Sequence, residues 1–319
     1  MGAFDTSFNG SSEAFVIKIG ESKPPLEHST VYVADTGNHR IQRSIDDGVT
    51  WTPVGFGPGT GLGQFRAPTG VEPNSTNTII FVADTGNNRL QRSTNGGLTW
   101  QVIAGPGTAI GQVSGPSGLA FDEVNDKLYV ADTGNNRIQI ATSAGSSASP
   151  TFAIFAGATA GTSVGHFHFP TGVAVDAAGL VYVSDTGNHR IQKNSNGTSS
   201  GWGIFAGATA GTAVGKMNSP TGIYVDSTNR VYVADTGNSR IQINTGGTAT
   251  GWSVFMTAGS AAGFVRYPGG VVLAASQNVF VGDTGNSRVQ KKPVGGGPAI
   301  VVGGPGTGPG QFRFPTGVR

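Results

Sequence analysis

An eight-residue word recurs six times in this chain: Asp-Thr-Gly-Asn, one variable residue, Arg, an aliphatic residue and Gln, each time after a β-strand-like run such as VYVA. Its aspartates, Asp35, Asp84, Asp132, Asp185, Asp235 and Asp283, lie 49, 48, 53, 50 and 48 residues apart. A period near 50 suits a propeller blade and is too long for ankyrin or leucine-rich units. The fourth period holds four short β signals, at 171–176, 180–185, 190–193 and 203–207, and no segment with helical periodicity over a helix's length. Each unit reads as a four-stranded antiparallel meander. In VYVAD the apolar residues fall on both faces, so the strand needs cover from both sides. Radial stacking of meanders supplies that cover and leaves only short, protected edges.

Glycine numbers 53 of 319 residues, far above the usual share of about 7 %. It recurs with proline at fixed phase between β runs, as turn punctuation does, so the chain is expected to fold. A net charge of +2 with only 12 % charged residues gives no general field for nucleic acid or acidic lipid. The absence of cysteine excludes disulfides, thiolate metal sites and a cysteine nucleophile. No apolar run is long enough to span a membrane, so no membrane insertion is expected. The opening MGAFDTSFNG carries no visible secretory signal.

A second pattern, Pro-x-Gly, begins at Pro68, Pro116, Pro170, Pro220, Pro268 and Pro315, and the first five lie 15 or 16 residues before a repeat aspartate. Asp35 lacks such a partner and Pro315 lacks a following aspartate, so the repeat is permuted. FPTGV, residues 314–318, is expected to supply the inner strand of the blade holding Asp35 and to close the ring by pairing the two ends. AFVIKIG, residues 14–20, is the competing choice, within an otherwise irregular extension over 1–28.

These two patterns together, with words such as GNHRI, resemble the NHL repeat family over nearly the whole chain. The resemblance implies an all-β, six-bladed β-propeller of four-stranded antiparallel blades in one domain, 1–319.

Asp and Arg five apart invite a catalytic reading, yet chemistry rarely needs six equivalent sites around a ring. A structural role is expected: the aspartate accepts backbone N–H bonds at a tight turn, glycine supplies positive φ, and asparagine tolerates left-handed conformations. Arg40, Arg89, Arg137, Arg190, Arg240 and Arg288 would then neutralise the aspartates with a bidentate fork. SIDDGVTW (44–51) and STNGGLTW (93–100) resemble the Asp-box hairpins of sialidase-like propellers, and NSNGTSSGW (194–202) looks like a degraded copy. In that family the box is a folding element, and no sialidase-type arginine cluster with a tyrosine nucleophile is visible. Glycine-rich links such as AGPGTAIGQ open no helix and lack the required lysine, so they are not phosphate loops.

His166, His168 and His189 fall on one blade and would bind a divalent metal only if they converged. His39 and His189 share a slot filled elsewhere by Asn88, Asn136, Ser239 and Ser287, which favours a solvent-facing turn role. No metal, cofactor or catalytic residue is assigned.

Specific function should sit in the letters that vary. Two residues before each proline stand Arg66, Ser114, His168, Asn218, Arg266 and Arg313, on the rim where the fourth-to-first and second-to-third strand loops meet. Tyr267, Phe169 and Phe314 are adjacent, and His39 and His189 belong to the same rim. Arginines beside aromatics suit carboxylates, sugars, peptides or RNA bases. The leading expectation is a non-catalytic binding or scaffold propeller presenting this rim to a protein, peptide or glycan, in preference to the opposite face bearing Trp51 and Trp100. A metal-dependent lyase or lactone hydrolase is the alternative that the resemblance implies. It is disfavoured because the inner strands hold no ligand-type side chain but Glu72. RNA binding is the second alternative. The low charge and the Ser/Thr/Asn/Gly-rich surface resemble extracellular or cell-surface bacterial propellers.

Overall fold

The computed structural model describes residues 30–157 and 159–319. Six sheets form, and among these residues the helical segments are six single 3-10 turns, each made by the Thr-Gly-Asn of one repeat. Blades are numbered one to six in the order of their repeat aspartates. From the axis outwards, blade four runs Pro170–Val175, Val181–Asp185, Arg190–Asn194 and Trp202–Ala206, antiparallel throughout. Blades two, five and six depart from the expected four strands. Each adds a two-residue strand, Gln112–Val113, Phe264–Val265 or Gln311–Phe312, parallel to its outer strand. The chain leaving the outer strand folds back along that edge before crossing to the next blade. Elsewhere the same approach shrinks to single bridges, Pro58 with Phe65 and Ala160 with Phe167.

Blade one draws on both ends of the described chain. Pro315–Val318 is its inner strand and pairs antiparallel with Val31–Asp35, aligning Val33 with Val318 and Asp35 with Pro315. Reciprocal bonds between Tyr32 and Arg319 extend the pairing. The C-terminal strand thus closes the ring. The competing segment 14–20 lies outside the described residues, as does the rest of the 1–28 extension.

Burial follows from the strand pattern. The second strands are buried along their whole length in four blades, as in Val31–Asp35 and Val181–Asp185, and along all but the first residue in blades three and six. The apolar residues form six clusters, one in each interface between neighbouring blades. Tyr32, Phe81, Tyr129, Tyr182, Tyr232 and Phe280 are the large members, all 0–1 % exposed. A single blade has no core of its own, which is why the ring must close for any blade to be covered.

The glycine of Pro-x-Gly sits where the inner strands approach the axis and one another. A Cβ on Gly118 would stand 2.5 Å from the Thr171 carbonyl oxygen, and one on Gly317 would stand 2.4 Å from that of Thr69. The same conflict with the next blade's carbonyl arises at Gly70, Gly172, Gly222 and Gly270. Close approach, not backbone freedom, requires glycine there.

Candidate functional site

The repeat word builds one clamp, used six times. In blade three the Asp132 carboxylate, fully buried, accepts bonds from Asn135 Nδ2 (2.9 and 3.0 Å), Arg137 Nε (2.7 Å), Gln139 Nε2 (2.9 Å) and the Ser114 main-chain N–H (2.8 Å). The terminal guanidinium nitrogen of Arg137 donates to the carbonyls of Ala109 and Gln112, on the crossing from blade two. Thr133 donates forward to the Pro170 carbonyl of blade four (2.7 Å). Each word therefore ties its own blade to the one before and the one after.

Two sequence expectations need correcting. The arginine fork is not bidentate on the aspartate: only Nε reaches it in all six blades. Asparagine, glutamine and a main-chain N–H already occupy the remaining carboxylate lone pairs, and the crossing carbonyls need the other donors. Nor does the word's glycine adopt positive φ. The left-handed residue is the variable letter: His39, Asn88, Asn136, His189, Ser239 or Ser287, with φ from 49 to 57°. Glycine is needed for proximity, since a Cβ on Gly37 would meet the Arg313 carbonyl at 2.8 Å.

The variable letter faces the next blade rather than solvent alone. His39 Nδ1 accepts the Ala67 N–H (2.9 Å), Asn88 that of Gly115, Asn136 that of Phe169, His189 Nδ1 that of Ser219 (3.0 Å), and Ser239 that of Tyr267. His166 Nδ1 lies instead beside Thr159, and the His168 ring lies tilted against Phe169, with ring centroids 4.6 Å apart. The three histidines of blade four do not converge, and no group of three His, Asp or Glu side chains forms among the described residues.

Ala67, Gly115, Phe169, Ser219 and Tyr267, which donate these N–H groups, and Phe314 precede the prolines, and all six have positive φ, from 41 to 52°. That conformation is a strained one for bulky side chains. Even so, Phe169, Tyr267 and Phe314 project outward, 47, 52 and 50 % exposed. Arg266 lies over the Tyr267 ring at 5.8 Å and Arg313 over Phe314 at 6.0 Å. Arg66, His168, Arg266 and Arg313 are exposed, while Ser114 and Asn218 are half-buried. One position earlier, Phe65, Val113, Phe167, Met217, Val265 and Phe312 are fully buried plugs between blades.

Inside the rim runs a belt of hydroxyls. The residue after each proline meets the repeat threonine of its own blade: Thr316 with Thr36, Thr69 with Thr85, Ser117 with Thr133, Thr171 with Thr186 and Thr221 with Thr236, at 2.6–2.7 Å. Blade six has Gly269 in that place. The belt borders a central cavity of about 300 Å³, lined by belt residues, by inner-strand backbone, by Val71, Leu119, Ile223, Val271 and Val318, and by Arg319.

Arg319 was not singled out from the sequence. Its side chain crosses the channel: Nε pairs with Glu72 of blade two, and the terminal nitrogens donate to the carbonyls of Leu119, Val173 and Ile223 in blades three, four and five. Burial pushes the neighbouring Tyr224 phenol up to about 12, against the pull of the Arg319 guanidinium. The permuted Pro-x-Gly register places Arg319 level with Glu72 and Tyr224, which was the available signal.

The NHL repeat model matches residues 114–141, 167–193, 217–243 and 265–291, which are the inner three strands of blades three to six. Four blades of this six-bladed β-propeller are NHL repeats. No curated protein matches its sequence. Among solved structures, this propeller is similar to a chain of a nidogen/laminin complex (15 % identity, 91 % of this chain and 97 % of that one, TM-score 0.67). It is also similar to streptogramin B lyase (11 %, 86 % and 82 %, 0.55). A structural genomics protein of unknown function from Bacteroides thetaiotaomicron is comparable (13 %, 87 % and 75 %, 0.62). At these identities the likeness is one of fold.

The opposite end of the propeller differs in character. Trp51 and Trp100 do not form an open face there: both are 6 % exposed, edge-on to Phe312 and Phe65 at 5.2 Å. In the first hairpin Ser44 Oγ accepts the Gly48 N–H, and Asp46 accepts the Thr50 N–H and hydroxyl. In the second, Ser93 and Asn95 make the matching bonds with Gly97 and Thr99. The described acids outside the repeat words are Asp46, Asp47, Glu72, Asp122, Glu123, Asp126, Asp176 and Asp226. All but Glu72, which is inside the channel, lie at this end, where Asp226 pairs with Arg230 and Asp47 with Lys291. At the rim the repeat aspartates are buried and paired with the repeat arginines, and among the described residues Arg66, Arg266 and Arg313 make no ion pair.

Proposed function

We propose that this propeller is a binding module without chemistry of its own, and that its rim receives an anionic segment of a protein or peptide partner. The observation that carries this reading is the separation of charge. Three exposed arginines without acid partners, two of them against exposed aromatic rings, stand on one mouth, while the acids outside the repeat clamps gather at the other end or inside the channel. Guanidinium beside an aromatic plane suits carboxylates. An uncompensated positive mouth also steers an anionic partner to itself. The nidogen/laminin neighbour is a propeller found in a protein complex, which accords with a protein partner. Among the described residues no helix is long and apolar enough to cross a membrane. An extracellular or cell-surface setting is part of the same proposal.

The lyase-type alternative would need donors projecting from the inner strands. Glu72 is the only carboxylate on them, outside the strand-end aspartates at the far end, and it is engaged by Arg319. The test uses a decaglutamate peptide as probe, titrated against the protein and against the triple variant Arg66→Ser, Arg266→Ser, Arg313→Ser. Affinity should fall at least tenfold in the variant and should weaken with added salt in the parent protein. Equal affinity in both proteins would remove the rim from the account.

A further inference from the structure

The hydroxyl belt has one break, and it opens into the central cavity. In five blades the repeat threonine hydroxyl meets a second hydroxyl from the residue after the proline, at 2.6–2.7 Å. In blade six Gly269 supplies none, so Thr284 Oγ1 donates to the Pro315 carbonyl and has no hydroxyl partner among the described residues. Of the six repeat threonines, only Thr236 and Thr284 line the cavity, together with Tyr267, and these residues surround Gly269. Thr69, Ser117, Thr171, Thr221 and Thr316 line it too, each with its hydroxyl paired to a repeat threonine, and the rest of the wall is backbone and the aliphatic side chains of the inner strands. At the floor, Nε and both terminal nitrogens of Arg319 are engaged by Glu72 and by three carbonyls. The floor therefore offers a ligand little uncompensated charge, and an ion would find no partner there.

We propose that the central cavity binds a small, mostly apolar molecule carrying one hydroxyl, which donates to Thr284 Oγ1 from the place where the other blades put the hydroxyl of the residue after the proline. The inference goes beyond the rim reading and does not depend on it. A volume of about 300 Å³ is at the small end of the range for ligand pockets, about 300–1,000 Å³, and suits a single ring. Thr284 Oγ1 is the lining hydroxyl that pairs with no second hydroxyl among the described residues, so it discriminates by hydroxyl: a molecule lacking one leaves this acceptor unpaired.

The experiment uses phenol and toluene as probes, with binding to the whole chain followed by saturation-transfer NMR. Phenol should bind at least tenfold more tightly than toluene. Thr284→Val should abolish that preference while leaving toluene binding unchanged. Gly269→Thr, whose Cβ would stand 2.7 Å from Thr284 Oγ1 and 2.9 Å from Thr316 Cα, closes the break and should weaken phenol at least tenfold. Thermal unfolding of each variant checks that it is folded, and the phenol-to-toluene comparison on the parent protein stands whatever the variants do. Equal binding of the two probes, binding of neither, or a phenol preference that survives in folded Thr284→Val or Gly269→Thr would overturn the proposal.

Discussion

The repeated aspartate shows how one buried residue can tie its own blade to the crossing that enters it. Its carboxylate is fully buried yet surrounded by four donors, so its charge is compensated where it stands. Removing one partner should be far worse than never having had the pair. Arg137→Leu is expected to destabilise the protein by about 3–5 kcal/mol, read by urea unfolding. The double variant Asp132→Asn, Arg137→Leu should recover part of that loss; no recovery would mean that the arginine acts only by tying down the crossing. Glycine gives a second residue-level test. Gly118→Ala drives a methyl against the Thr171 carbonyl and should cost about 1–3 kcal/mol or more, whereas Gly203→Ala meets nothing within 4 Å and should leave stability nearly unchanged. Similar unfolding midpoints for the two would contradict the close-approach argument.

Among the elements, the 44–51 hairpin carries a titration that can be followed. The Thr50 hydroxyl and N–H hold the Asp46 carboxyl at about 2, below its ordinary 3.8. A depressed folded value means that the stabilisation is fully present above about pH 3.8 and is lost as pH falls toward 2. The Thr50 amide signal should therefore shift with a midpoint near pH 2, and Asp46→Asn, which copies Asn95 of the next blade, should abolish the titration. A midpoint near 3.8 would show that the hairpin bonds do not form in solution. The blades, their strand order and the C-terminal closing strand could be read from the sequence, because spacing and the unmatched Pro315 determine them. The arginine geometry could not, because the crossing carbonyls that compete for the guanidinium come from another blade, some 25 residues earlier in the chain. Arg319 was missed for a related reason: the Pro-x-Gly register sets it level with Glu72 and Tyr224, but the bonds that carry its side chain across the axis go to carbonyls of other blades. The residues proposed for the rim are the mismatched letters of the loop before each proline, and nothing in those letters signals that the aromatic members Phe169, Tyr267 and Phe314 are held in left-handed conformations.

For the whole molecule, six equivalent clamps and six interblade cores leave a ring whose two ends differ in charge. The invariant letters are consumed by the ring, and the variable ones are exposed at one mouth. The most direct measurement is backbone hydrogen–deuterium exchange along the chain with and without the decaglutamate probe. Protection confined to the loops around Arg66, Arg266 and Arg313 is the predicted outcome. Protection instead at the hairpins around Asp46 and Asn95, with the rim loops unchanged, would contradict the assignment of the binding face.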